Sequence, residues 1–278
     1  TEIHRAQAEY NVAAQWGGGI FMYSNGLIQS SYIASNWTHN YGGGGVYFGT
    51  NCTIRDSILA TNRASIIDLA NDYARGGGIN IAISGMISNC LIFGNRASRR
   101  GGGIWAHNLT LVDSVVSKNF SSQYGGGIFW NANGVLLNSE ISDNWISGTE
   151  GGGLYMAANG WIENCTFNAN SNAGTYGGAI RMFNGMVTNC ALIFNYVNQY
   201  GGAVFMQRDR AGWRLVSAAE QPREKLLEAP LPARTLRPRR EAQRVRFPLH
   251  HQRHGLAFRE LHPHQNPGRV YRLFNHLF

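Results

Sequence analysis

The sequence predicts an all-β fold, a right-handed parallel β-helix solenoid of about seven to eight coils with three short strands in each. Three observations predict it. A glycine block opens units of 24 to 26 residues, one of them lengthened by an insertion, starting at Gly17, Gly43, Gly76, Gly101, Gly125, Gly151 and Gly177. An asparagine closes each unit eighteen or nineteen residues later: Asn36, Asn62, Asn95, Asn119, Asn144, Asn170 and Asn195. Between block and asparagine, apolar residues alternate at period two, the mark of a strand.

The first strand begins three residues after the first glycine, where the chain is always aliphatic (Ile20, Val46, Ile79, Ile104, Ile128, Leu154, Ile180, Val204). The next position is mostly aromatic (Phe21, Tyr47, Trp105, Phe129, Tyr155, Phe205), interrupted by Asn80 and Arg181. The one after is mostly large and apolar, as in Met22, Phe48, Trp130 and Met156. An asparagine, usually followed by glycine, then marks a corner, as at Asn25-Gly26, Asn133-Gly134 and Asn159-Gly160. The second strand carries an inward aliphatic eight residues before the closing asparagine (Ile28, Ile54, Ile87, Leu111, Leu136, Ile162, Val187). Six before it stands Ser30, Asp56, Asn89, Asp113, Asn138, Asn164 or Asn189, and five before it a small residue, either serine or Cys90, Cys165 and Cys190. The third strand carries Ile33, Leu59, Ile92, Val116, Ile141, Phe167 and Leu192.

An Asn-Gly corner between apolar runs is ordinarily a hairpin signal. Recurrence once per unit is better explained by coils stacked on one another, with like residues about 4.8 Å apart in ladders. Stacked asparagine amides then bond from coil to coil. A leucine-rich solenoid has a similar period but needs a helical return leg, which a repeated glycine block opposes.

Composition divides the chain at residue 206. Residues 1–206 hold the repeats; residues 207–278 hold all seven prolines and only three of the 35 glycines. Fifteen of the 24 basic residues and six of the 16 acids lie in this tail, leaving nine basic against ten acidic in the repeats. The strongly basic balance therefore belongs to the tail. An Asn-Gly corner is due at 209–210, where Asp209-Arg210 stands. A 25-residue echo persists in pairs such as Leu231 and Leu256, Pro238 and Pro263, Arg244 and Arg269. Codons exist for Glu260-Leu261-His262 that, after a one-base shift, spell Asn-Cys-Thr, the phrase found at Asn164-Cys165-Thr166. The tail therefore reads as an out-of-frame translation; a basic disordered extension and a polyanion-binding tail are the rival readings. The nucleotide sequence decides: a frame without a Gly-Gly repeat sinks the frameshift. The start also reads as truncated, since Asn11 precedes Gly17 by six residues as Asn95 precedes Gly101. Uncapped coils at either end favour end-to-end self-association.

Gly177-Gly178-Ala179-Ile180 and Gly201-Gly202-Ala203-Val204 are literal Gly-Gly-Ala-aliphatic tetrapeptides, and Phe167-Asn168-Ala169-Asn170 is a literal Phe-x-x-Asn. Together they resemble the hallmark of the polymorphic outer-membrane protein repeat family, and the other units over residues 17–206 look like relaxed versions. The resemblance implies a pectin-lyase-like β-helix on a bacterial surface, an adhesin or autotransporter passenger. The partners it implies are glycans or host cell-surface proteins, with a membrane link only through an anchor or barrel outside this sequence. No specific nucleic-acid partner is implied.

Candidate chemistry is sparse. The glycine blocks lack the Lys-Ser/Thr of a phosphate loop and the aspartates of calcium-binding nonapeptides. No cysteine has metal-ligand spacing, and no cofactor is implied. Asp56 and Asp113, two coils apart, would stand roughly 10 Å from each other, near an inverting glycosidase pair. Their column is Ser, Asp or Asn in every unit, which reads as a ladder. A polysaccharide lyase or glycoside hydrolase on the same fold is the alternative to a non-enzymatic protein. Two places remain for a ligand. The aromatic column (Tyr47, Trp105, Phe129, Tyr155, with Arg181 at its end) faces away from the core and offers a strip of flat faces; self-stacking is its plainer use. The one long unit, with about eight extra residues after Asn62, carries Asp68 and Asp72 on a surface insertion. Cys165 and Cys190 lie on neighbouring coils, open to a disulfide or to buried thiols, and Cys52 is expected at an exposed corner.

Overall fold

The structure is a computed structural model, and it describes residues 1–65 and 73–207. They form a parallel β-solenoid of about eight turns, with no helix among them. Every strand pairs in parallel with its counterparts one coil away. Among the described residues the pairs build three sheets. The long sheet takes the strands that open each unit, such as Ile20–Ser24, Val46–Thr50 and Ile128–Trp130, together with those after the corner, such as Leu27–Gln29 and Gly134–Leu137. The second stacks eight strands from Gln7–Glu9 to Ala191–Ile193. The third stacks eight two-residue strands from Val12–Ala13 to Tyr196–Val197.

Register holds the columns together. Ile104 pairs with Ile128, Val116 with Ile141 and Leu136 with Ile162, so the inward aliphatics form continuous stacks. Ile79, Ile92, Ile104, Leu136, Phe167 and Trp130 are all fully buried. Burial of apolar surface, at roughly 25 cal/mol per Å², is the principal favourable term.

Three single-residue turns close each coil. The first glycine of every block has positive φ, from +61° at Gly125 to +70° at Gly151. The second turn lies six residues before the closing asparagine, at Ser30, Asp56, Asn89, Asp113, Asn138, Asn164 and Asn189, with φ near +50°. This left-handed conformation accounts for the Asn and Asp of that column. The third lies immediately before the closing asparagine, at Ser35, Thr61, Gly94, Lys118, Asp143, Ala169 and Phe194. No residue type marks this last column.

The Asn-Gly corner differs from expectation. Of the corner asparagines only Asn25 and Asn51 take positive φ, and in two coils the corner vanishes into single strands, Ile79–Ser88 and Ile104–Val112. The glycine serves packing instead. A Cβ on Gly134 would lie 1.4 Å from the Trp130 ring, and one on Gly26 would lie 1.6 Å from the Met22 sulfur. Where Leu109 replaces glycine, the facing residue is Ala106. Glycine or a small residue on one side thus matches the large residue on the other, keeping the interior close-packed.

The closing asparagines form one buried amide ladder. The Asn62 Oδ1 accepts from the Asn36 backbone N–H at 3.0 Å and from its Nδ2 at 3.0 Å. The Asn62 Nδ2 donates to the Ile33 carbonyl at 2.9 Å and to the Asn95 Oδ1 at 3.0 Å. The same set repeats through Asn95, Asn119, Asn144 and Asn170. Each amide meets its full demand in a dry interior, where an unmet donor is costly.

The expectations for the tail and for Asp68 and Asp72 lie outside the described residues.

Candidate functional site

The aromatic column does face outward from the long sheet, in register from Phe21 and Tyr47 through Trp105, Phe129 and Tyr155 to Arg181 and Phe205. Its rings stack. Phe21 lies 4.9 Å from Tyr47 with an interplanar angle of 6°, and Phe129 lies 4.9 Å from Tyr155 at 8°. It is not an exposed strip, however: Trp105, Phe129 and Arg181 are buried, and Tyr47 and Tyr155 are half-buried. From the Gly76 block onward, the residue before the glycine block folds over the column. Arg75, Arg100, Tyr124, Glu150, Tyr176 and Tyr200 form a run of parallel bridges alongside it. Arg75 covers Trp105 at 5.1 Å, Tyr124 lies 5.2 Å from Tyr155, and Tyr176 lies 4.4 Å from Phe205. Strand alternation fixes which way a side chain points, but it says nothing of a neighbouring connector that roofs it. Sequence therefore placed the column correctly and its exposure wrongly.

Arg181 does not offer its charge to a ligand. Its Nε lies 3.0 Å from the Glu150 carboxylate, and its guanidinium covers Phe183 at 4.0 Å and Phe205 at 5.0 Å. Its Nη1 donates to the Met182 carbonyl at 3.0 Å and its Nη2 to the Gln207 Oε1. Beside this pair, burial and then the Glu150 charge push the Tyr155 hydroxyl up to about 12.

The acidic column is a ladder. The Asp56 carboxylate accepts from Asn89 at 2.8 Å and from Gln29 at 3.2 Å; Asp113 accepts from Asn138 at 3.1 Å. The small column is a second ladder. The Ser57 Oγ accepts from the Ser31 backbone N–H at 3.0 Å and donates to the Arg55 carbonyl at 2.7 Å, and Cys90, Cys165 and Cys190 take equivalent places. All four cysteines are free and buried, so Cys52 is not at an exposed corner and Cys165 and Cys190 are thiols, not a disulfide. The hydrogen bond to the Cys190 thiol, with burial, holds Cys165 above the usual range. Among the described residues no three of His, Cys, Asp and Glu converge as a metal site.

Burial pushes Cys90 from an ordinary 9.0 to about 12. A thiol whose pKa is raised on folding contributes its full stability below pH 9 and loses it as pH rises through about 12. Stability is predicted to fall over that window, and Cys90→Ser, the residue usual in the column, is predicted to flatten the fall. Urea midpoints measured at stepped pH check this; parallel pH curves for the two proteins would contradict it.

One outward row was not singled out from sequence. It stands one residue after each closing asparagine, on the third sheet: Trp37, Arg63, Arg96, Phe120 and Trp145, in direct register. Arg63 lies over Trp37 at 5.3 Å, Arg96 over Phe120 at 4.5 Å, and Phe120 packs 4.0 Å from Trp145. Counting the column one place beyond each ladder asparagine would have found it.

Fold and ladders together define a parallel β-solenoid repeat protein. No family model, curated protein or solved structure matches the chain. The finer family resemblance therefore rests on its tetrapeptides alone.

Proposed function

We propose that the chain is a non-enzymatic β-helix repeat protein of a bacterial surface or secreted fraction, an adhesin or autotransporter-passenger-like stalk of the pectin-lyase-like kind. One observation supports it most. Among the described residues the acids that share a column, Asp56 and Asp113, sit at left-handed turns and engage their carboxylates with ladder amides. A lyase or hydrolase needs acids free to move a proton at the scissile bond. Here Asp56, Asp113, the aromatic column and the buried Arg181 hold coil to coil, which is the work of a rigid spacer. Glycans or cell-surface proteins are the partners such a spacer would present itself to.

Pectin-like and host-glycan polymers incubated with the full chain should yield no new reducing ends and no unsaturated uronate absorbance. Turnover of any of them, abolished by Asp56→Asn or Asp113→Asn, would overturn the reading in favour of a carbohydrate-active enzyme.

A further inference from the structure

We propose that the outer row of the third sheet, Trp37, Arg63, Arg96, Phe120 and Trp145, binds a sulfated polysaccharide chain laid along the solenoid axis. Arg63 and Arg96 are direct register partners and both are exposed. Like charges at such a position repel, and among the described residues neither has a carboxylate within ion-pair distance. The two guanidiniums lean apart, Arg63 onto Trp37 and Arg96 onto Phe120. Lys118, at the turn beside Phe120, is exposed as well, with the exposed Asp143 at the same turn one coil on, so the excess of charge lies at the two arginines. The repeats as a whole hold nine basic residues against ten acids, so this charge is a local concentration. Among the described residues the Arg63–Arg96 pair has no anion matched to it.

The chemistry of the row narrows the anion. Stacking on a ring fixes a planar guanidinium while its N–H edge stays open to an oxyanion. Each strand of the sheet is two residues long, so the row is narrow and suits a linear chain better than the broad face of a folded protein. Single-stranded nucleic acid would need several open rings for successive bases. Phe120 is buried, Trp37 is covered by Arg63, and Trp145 alone of the three is exposed, at 45%. One open indole suits the apolar face of a sugar. Because the guanidiniums diverge, they call for two separate anionic groups, each standing off the sugar ring. A sulfate ester does so on its own oxygen, whereas a uronate carboxylate is joined directly to the ring.

The inference rests on the non-enzymatic reading, and the test separates the two. Full-length protein is treated with phenylglyoxal with and without a heparin octasaccharide, and modified arginines are located by mass spectrometry. Arg63 and Arg96 should be protected by the octasaccharide but not by its desulfated form or by polygalacturonate. In parallel, Arg63→Lys/Arg96→Lys, which keeps the charge but loses the fork, and Trp145→Ala, which leaves every charge in place, should each weaken heparin binding about tenfold. Protection confined to the arginines beyond Met206, equal protection by polygalacturonate, or unchanged affinity in both variants would overturn the proposal. Cleavage of the octasaccharide with Arg63 and Arg96 protected would sink the non-enzymatic reading and leave the strip standing. Circular dichroism of each variant confirms that it is folded.

Discussion

Asn119→Ala is expected to destabilise the solenoid by about 3–5 kcal/mol, because it interrupts the amide ladder at its middle. The Asn119 Oδ1 accepts from the Asn95 backbone N–H at 2.9 Å and from the Asn95 Nδ2 at 3.0 Å. Its Nδ2 donates to the Ile92 carbonyl at 3.0 Å and to the Asn144 Oδ1 at 3.0 Å. Alanine strands the Asn95 N–H and one proton of its amide in a fully buried stack. Each orphaned buried donor costs about 1–3 kcal/mol, more than the net worth of a satisfied bond. The same change at Asn195, which is half-buried, should cost clearly less because water reaches the freed groups. Denaturant unfolding of both variants measures the difference. A loss under about 1 kcal/mol at Asn119, or equal losses at the two sites, would mean that the amides are not coupled as described.

Gly102→Ala is the second large effect, and its cause is steric. A Cβ at Gly102 would lie 2.3 Å from the Gly126 carbonyl oxygen and 2.3 Å from that of Phe120. Both obstacles are backbone, so no side chain can swing aside. Relief requires moving the third sheet away from the glycine corner, which breaks the bonds from Gly102 to Gly125 and from Phe120 to Asn95. The expected loss exceeds about 3 kcal/mol, or the protein fails to accumulate in soluble form. Gly94→Ala is the informative companion. Its φ is +65°, yet an added Cβ there meets nothing nearer than 3.4 Å. Only the dihedral penalty applies, about 1–2 kcal/mol. Thermal midpoints should therefore rank wild type, Gly94→Ala, Gly102→Ala. A Gly102→Ala protein as stable as wild type would show that the corner does not approach the third sheet this closely.

The repeat made most of the fold legible because each column obeys one strong constraint. The closing asparagine is repeated because each amide serves the next, and the aliphatic columns because each points into the core. Glycine at the block recurs because backbone passes against backbone. Legibility failed where one constraint is shared between two positions or falls on no particular residue type. The glycine after the corner asparagine read as a turn signal, yet at Gly134 it makes room for Trp130. The third turn passes through Thr61, Lys118, Ala169 and Phe194, which share no chemistry and only a positive φ. The stacked coils impose that conformation on residues that do not favour it.

The candidate site divided along the same line. Alternation showed that Trp105, Phe129 and Tyr155 point outward; their burial depends on Arg75, Arg100 and Tyr124, which lie in a connector without strand periodicity. The Arg63–Arg96 row was hidden for the opposite reason. It mixes aromatic with basic residues, so no single type repeats, and only the register of the third sheet makes it a row.

The central claim is that the repeated residues bond to one another from coil to coil. Hydrogen exchange of asparagine side-chain amides, followed by nitrogen-edited NMR, tests it most directly. The account predicts that the Nδ2 protons of Asn36, Asn62, Asn95, Asn119, Asn144 and Asn170 exchange as slowly as core backbone amides, each with a cross-peak to the next asparagine in the ladder. The exposed Asn159, whose Oδ1 accepts from Asn184 while its own Nδ2 faces solvent, should exchange at the rate of a free amide. Rapid exchange at the six ladder positions would contradict it.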